Sequence, residues 1–201
     1  MENTSVMPII TNAPKSSTGG QDLTTWAKVL ELKTEDTRNI YERFVTENNL
    51  SGQERAKFNQ VLNRAIETWK GLGIRNERCY TCRATIFGHL EDIAFEELSG
   101  DGRNLEEKVK IYPNWIKCEE SLIDETYKLT RITDDFVTAR NRILRLVREN
   151  LIQFKDHLKD ENRPRFVKSV LSLCADSKKL DEFKRSDNKV AYLVNYLKAA
   201  G

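Results

Sequence analysis

Between residues 118 and 158 the chain runs for about forty residues without a glycine or a proline, the two residue types that most strongly disfavour a helix interior. Within it Leu122, Leu129, Ile132, Phe136, Ala139, Ile143 and Leu146 recur at spacings of three, four and seven, which places them on one stripe of an α-helix. The spacing predicts a single long, core-forming helix over 118–158. Its charges are sorted along its length. Residues 119–135 hold six acids against Lys128 and Arg131, whereas residues 140–155 hold Arg140, Arg142, Arg145, Arg148 and Lys155 against Glu149 alone. Two readings of this order stay open: acids at the start and bases at the end satisfy the helix macrodipole, or the basic end meets an anion such as a nucleic-acid backbone.

A chain of 201 residues is long enough for one well-buried domain with an appendage. Its 33 basic and 31 acidic residues leave a net charge of +2, so any anion binding has to come from local clustering. No apolar run approaches the roughly 20 residues that span a bilayer, and the N-terminus lacks a basic-then-apolar signal pattern. A soluble cytosolic protein with no membrane partner is expected, with Cys79, Cys82, Cys118 and Cys174 reduced.

Residues 1–21 are rich in Asn, Thr, Ser, Pro and Gly and predict a flexible N-terminal arm. Leu23, Trp26, Ala27 and Leu30 make a short amphipathic piece. Thr34, followed by Glu35 and Asp36, predicts the cap of a helix carrying Ile40, Tyr41, Phe44 and Val45 and ending at Asn48-Asn49. Ser51-Gly52-Gln53-Glu54 is a capping box. The helix behind it carries Phe58, Val61, Leu62, Ala65, Ile66 and Trp69 and stops at Gly71 and Gly73. The pattern fails from 72 to 84, where Arg75, Arg78 and Arg83 gather. It resumes with Phe87, Leu90, Ala94 and Leu98, up to the turn at Ser99-Gly100-Asp101-Gly102. Residues 103–117 read as a short strand at Val109, Ile111 and Tyr112 or as a loop. After Asn162-Arg163-Pro164, a helix-opening break, come Phe166, Val167, Val170 and Leu171, and then short helical pieces around Leu180 and Phe183 and from Val190 to Leu197. The expected architecture is all-α: a flexible arm (1–21), a four-helix up-down bundle (22–166) and a helical C-terminal extension (167–201).

The only constellation with metal-ligand character is Cys79 and Cys82, a CxxC, with His89 and Cys118 further on. A structural zinc site closes a tetrahedron with four such ligands, but a single CxxC without a second knuckle is a weak signal. The alternative makes Cys82, Cys118 and Cys174 small buried hydrophobes and His89 a helix-surface residue. No cofactor is expected, zinc being the one ion for which ligands exist at all, and the lack of a βαβ pattern argues against a thioredoxin-like role. His89 and His157 lie beside no nucleophile in a recognisable motif, and there is no phosphate loop or HExxH. An enzyme is not expected. Arg75, Arg78, Arg83, Arg103, Arg131, Arg140 and Arg142 lie near turns or on the long helix, where several could converge on phosphates; salt-bridged surface is the plain reading of any one of them.

In the order of its landmarks the chain resembles the coat proteins of rod-shaped, tobamovirus-like plant RNA viruses. Leu23-Thr24-Thr25-Trp26 is similar to their opening Leu-Ser-Ser-Ala-Trp, and the helix from Arg55 to Glu67-Thr68-Trp69-Lys70 resembles a second helix ending Glu-Val-Trp-Lys. Leu90-Glu91 stands where they have Leu-Asp, Arg103-Asn104 where they have Arg-Asn-Arg, Arg131-Ile132-Thr133-Asp134-Asp135 where they have Arg-Arg-Val-Asp-Asp, and Arg165-Phe166 near a closing Ser-Phe-Glu. The likeness covers residues 23–166. It departs at Leu105 and Val167, lacks one arginine of the pair before Ile132, and has no counterpart for residues 167–201.

The resemblance implies subunits that self-assemble into a helical rod around single-stranded RNA, in the virion and the host cytoplasm. By position Arg55, Arg103, Arg131, Asp134 and Asp135 would line the RNA groove, the arginines holding phosphates without reading sequence. Glu67 and Glu91 would be carboxylates that face each other between subunits and repel when both are ionised. Two other readings remain: a viral accessory RNA-binding protein, such as a nucleoprotein or a silencing suppressor, and a protein-interaction bundle without nucleic acid.

Overall fold

The computed structural model describes residues 18–100 and 102–200, with side chains from residue 22. The described residues form ten α-helices and no strand. In order they are α1 (Thr18–Leu30), α2 (Thr34–Glu47), α3 (Gly52–Gly71), α4 (Tyr80–Glu96), α5 (Leu105–Tyr127), α6 (Asp134–Glu149), α7 (Leu151–Phe154), α8 (Arg163–Ala175), α9 (Ser177–Arg185) and α10 (Lys189–Ala199), with a short 3₁₀ turn at Asp160–Asn162 before α8. The all-α expectation holds. Most of the expected arm lies outside the described residues, and its last four positions, 18–21, belong to α1.

Several starts and stops follow local chemistry. At α3 the capping box is complete: the Ser51 hydroxyl accepts from the Glu54 N–H, and the Glu54 carboxylate accepts from the Ser51 N–H. Asn49 turns out of α2 at φ 51° and Gly73 leaves α3 at φ 64°, the left-handed conformation in which helices commonly end. Thr34 is not a cap. Lys33 holds that position without a side-chain bond, and the Thr37 hydroxyl donates to the Lys33 carbonyl.

The single helix over 118–158 does not form. Its first ten residues end α5, residues 128–133 are non-helical, and α6 and α7 follow. The cause lies in the Thr133-Asp134-Asp135 triplet. The Thr133 hydroxyl accepts from the Phe136 N–H, and both aspartates fall in the first turn of α6, which makes a complete helix start inside a continuous apolar spacing. Leu129 and Ile132, two members of that stripe, are therefore exposed. Residues 103–117 also differ from expectation, since α5 runs through them with Pro113 inside it. Leu105, Val109, Tyr112, Ile116 and Leu122 are all buried at helical spacing, and burying that stripe outweighs the one backbone bond that proline cannot donate.

The element around which the chain is arranged is thus α5. It packs on α3 and α4 on one side and on α6, α7 and α8 on the other, while α1 and α2 cover α3 and α4. The buried side chains make one contiguous core, from Leu23 and Trp26 through Phe58, Phe87 and Tyr112 to Phe166, Phe183 and Leu197. Residues 167–200 are part of this core rather than a separate appendage. The Arg165 guanidinium donates to the Leu197 and Lys198 carbonyls at 3.0 Å each, tying the end of α10 back to α8.

Candidate nucleic-acid interface

The five residues that the resemblance assigns to RNA fall at two ends of the molecule. Arg55 opens α3, where Lys57 donates to the Leu98 carbonyl at 2.6 Å, and Arg64 further along reaches Glu106 at the start of α5 at 2.6 Å. Arg103 is exposed at that same end, beyond Gly102, whose φ is 68°. The positive φ suits glycine there, and a side chain at Gly102 would crowd the Arg64 guanidinium at 3.0 Å, which would have to shift. Arg131, Asp134 and Asp135 lie past the other end of α5, a helix of 23 residues and so roughly 34 Å long. A single chain cannot gather all five into one groove.

Their surroundings differ as well. Arg55 is already engaged: it donates to the Glu42 carboxylate and, at 3.2 Å, to the Tyr41 hydroxyl, and it lies 5.3 Å over the Tyr41 ring. Burial raises the Tyr41 hydroxyl above its ordinary pKa, against the pull of Arg55. Arg131 is exposed in the 128–133 connection and has no ion pair among the described residues. It lines a groove of about 620 Å³ together with Thr133, Asp135, Ser177, Asp181 and Lys184. Asp134 and Asp135 complement the N-terminus of α6.

Glu67 is exposed on α3, but Glu91 is only 1 % exposed within the single chain. It lies on the stretch of α4 where Ile86, Phe87, Leu90, Ile93 and Ala94 are also buried, and its Oε2 has no hydrogen-bond partner. Burial pushes its carboxyl up to about 9; Asp92 and Glu47 add to this and Arg43 opposes it. A side chain closed inside one subunit does not face a carboxylate on another, so the expected inter-subunit role of Glu91 does not fit its position.

The candidate zinc ligands also part company. Cys79 and Cys82 are adjacent at the start of α4, with Sγ atoms 2.9 Å apart. His89 is half-buried: its Nδ1 is 2.8 Å from the Tyr112 hydroxyl and its ring stands edge-on to Trp115, while burial and then Arg148 hold its pKa down to about 4. Cys118 donates to the Leu158 carbonyl at 3.8 Å, and burial pushes its thiol up to about 11. Among the described residues no three His, Cys, Asp or Glu side chains converge as metal ligands.

One functional-looking group escaped the sequence reading. Arg148 is buried, and its guanidinium lies 3.8 Å from Asp92, 3.7 Å from Glu96 and 3.8 Å from Glu149, beside the Lys108–Glu97 pair at 2.6 Å. Burial raises the Asp92 and Glu96 carboxyls, with Arg148 pulling both back down. Its spacing was the available signal, because Arg148 follows Leu144 by four on the buried side of α6.

The two stretches of chain on either side of residue 128 differ in charge balance. Residues 128–200 hold 17 Lys and Arg against 10 Asp and Glu, a net +7, whereas residues 1–127 hold 16 against 21, a net −5. On α6, Arg142 has no ion pair among the described residues, Arg145 is bound only to Glu149 of its own helix, and Arg140 only to the Asn141 amide. On α9, Lys178, Lys184 and Arg185 are exposed, while Lys179 sits 5.4 Å over the Tyr196 ring. Such a surface attracts polyanions by charge alone. No known family model matches this chain, and neither the curated proteins nor the solved structures give a match.

Proposed function

We propose that this chain is a viral coat protein that self-assembles around single-stranded RNA and holds the phosphates without regard to sequence. The observation that carries the proposal is the charge division: a net +7 over residues 128–200, displayed by Arg131, Arg142 and Arg145, which no carboxylate of another helix engages. The RNA contacts are assigned to these three and to the α9 lysines rather than to Arg55, whose guanidinium is spent on Glu42 and Tyr41. The order of landmarks along residues 23–166 supports the coat-protein form of the reading.

Two measurements on one preparation test it. Negative-stain microscopy with the 260/280 nm absorbance ratio should show rods or stacked discs that carry nucleic acid. Binding of a single-stranded RNA at several salt concentrations should lose about two units of log–log slope in the R131A/R142A/R145A variant, at roughly 0.7 per phosphate contact. R55A should leave the slope unchanged. Protein free of RNA, with a slope indifferent to the triple change, overturns the proposal.

A second reading, a viral accessory RNA-binding protein that forms no rod, is favoured by one observation. Glu91 is enclosed in its own subunit, so the carboxylate pair expected between coat subunits has lost a member. Discrete particles that still show the salt slope would select it.

A further inference from the structure

The Cys79–Cys82 pair is used by neither reading, and its geometry is specific. Cys79 is the N-cap of α4, with φ −58° and ψ 160°, a backbone turn that swings an N-cap side chain back across the first helical turn toward position N3. Cys82 occupies N3. The two sulfurs consequently stand 2.9 Å apart, at the surface, with Cys79 exposed.

We propose that Cys79 and Cys82 are a redox-modification site, a surface dithiol that closes to an intramolecular disulfide by exchange with a small disulfide such as oxidised glutathione. Cys79 is the attacking sulfur. The neighbouring Cys82 thiol, the amides of Cys82 and Thr81, and the Arg83 charge lower its pKa, whereas Cys79 itself, followed by burial, raises that of Cys82. Arg78 and Glu120 also face Cys82, with opposite effects. The Cys79 thiolate attacks one sulfur of the small disulfide and releases its other half as a thiolate. Cys82 then loses its proton and attacks the Cys79 sulfur of the mixed disulfide, expelling the second half. Two protein thiols become one disulfide and one small disulfide becomes two thiols, so electrons and protons balance. Cys118 and Cys174 cannot substitute, since both are buried with thiols held up at about 11 and about 12.

The test is equilibration of the full-length protein with oxidised and reduced glutathione, followed by quenching with iodoacetamide and peptide mass spectrometry. The expected result is joint loss of labelling at Cys79 and Cys82, with the peptide carrying both lighter by two hydrogens and no glutathione retained. The Cys82→Ser variant should stop at a mixed disulfide on Cys79. In the untreated wild type, Cys79 should alkylate several-fold faster near neutral pH than a free thiol of ordinary pKa, about 8.5. Separate glutathione adducts on the two cysteines of the wild type, or a Cys79 alkylation profile that follows an ordinary thiol, would overturn the proposal, and neither readout depends on a variant that folds.

Discussion

On the α1–α5 side of the 128–133 connection, several arginines join one element to another; on the α6–α10 side most of them do not. Arg55, Arg64 and Arg78 each reach a carboxylate on a different element, Glu42, Glu106 and Glu120. Across the connection Arg131 and Arg142 reach none among the described residues, and Arg145 pairs along its own helix. The reason is supply, since the second region holds too few acids for its bases. Exposed pairs are worth at most about 1 kcal/mol, so leaving arginines unpaired costs the fold little while it leaves their charge available to an external anion. Arg148 and Arg165 are exceptions on their side: Arg148 points inward to acids of α4, and Arg165 donates to carbonyls at the end of α10.

Arg148 gives the first test of this contrast. Arg148→Met should cost about 1–3 kcal/mol, since it takes the buried guanidinium away from the half-buried Asp92 and Glu96, of which Glu96 keeps Lys108 at 3.4 Å. Arg142→Met should change stability by no more than about 0.5 kcal/mol. Urea unfolding of the two variants, compared at constant m-value, reads the difference. Equal midpoints would erase the distinction between inward and outward arginines on α6.

The ionisable groups of α4 that burial shifts should make the stability of the fold depend on pH. Glu91 is held at about 9 in the folded protein against 4.5 for the free group, so from 4.5 to about 9 the folded state binds more protons than the unfolded one. Its contribution is complete below pH 4.5 and is lost as pH rises toward 9, by at most about 1.4 kcal/mol per pH unit. His89 has the opposite sign: held at about 4 against 6.5, it stabilises above pH 6.5 and loses that as pH falls toward 4. Glu91→Gln should flatten the fall on the alkaline side and His89→Gln the fall on the acid side, in chemical denaturation followed from pH 5 to 9. An unchanged alkaline limb in Glu91→Gln would mean that Glu91 finds water or a partner that relieves it.

These groups also mark where sequence reasoning stops. The α3 capping box, the buried faces of α3 and α4 and the Pro164 break were legible because each signal is local and each apolar side chain has one destination. Arg148 and Glu91 were not, because a charged residue at an inward position reads as solvated surface until the helices opposite it are known. The Cys79–Cys82 spacing was visible as a motif, but not the N-cap turn that brings the sulfurs together. The separation of Arg55 and Arg103 from Arg131 depended on where α5 begins and ends, and the apolar spacing through residues 103–133 left that open.

The break between α5 and α6 gives two further predictions. Thr133 ends the connection by capping α6 at 3.1 Å from the Phe136 N–H, and Thr133→Ala should cost about 1 kcal/mol. Were residues 118–158 one helix, Thr133 would sit in its interior, and alanine, the better helix former, would stabilise it by a few tenths of a kcal/mol instead. The sign of the change in unfolding midpoint decides between the two arrangements.

Ile132 and Ile143 sharpen the same point by their contrast. Both belong to the apolar stripe that predicted a continuous helix, and in that helix both would be core. In the fold Ile143 is 0 % exposed and Ile132 is 40 % exposed. Ile143→Ala should therefore cost about 2–5 kcal/mol, the loss of buried methyl groups plus the cavity they leave, while Ile132→Ser should fall within about 0.5 kcal/mol of wild type. If the chain assembles as proposed, the dissociated subunit is the one to unfold, because Ile132, Leu129 and Tyr127 are all exposed and a neighbouring copy would cover such apolar surface. If Ile132→Ser is silent in the subunit but weakens the assembled particle, the connection is a contact between copies, and the apolar spacing that misreported the helix was recording an interface instead.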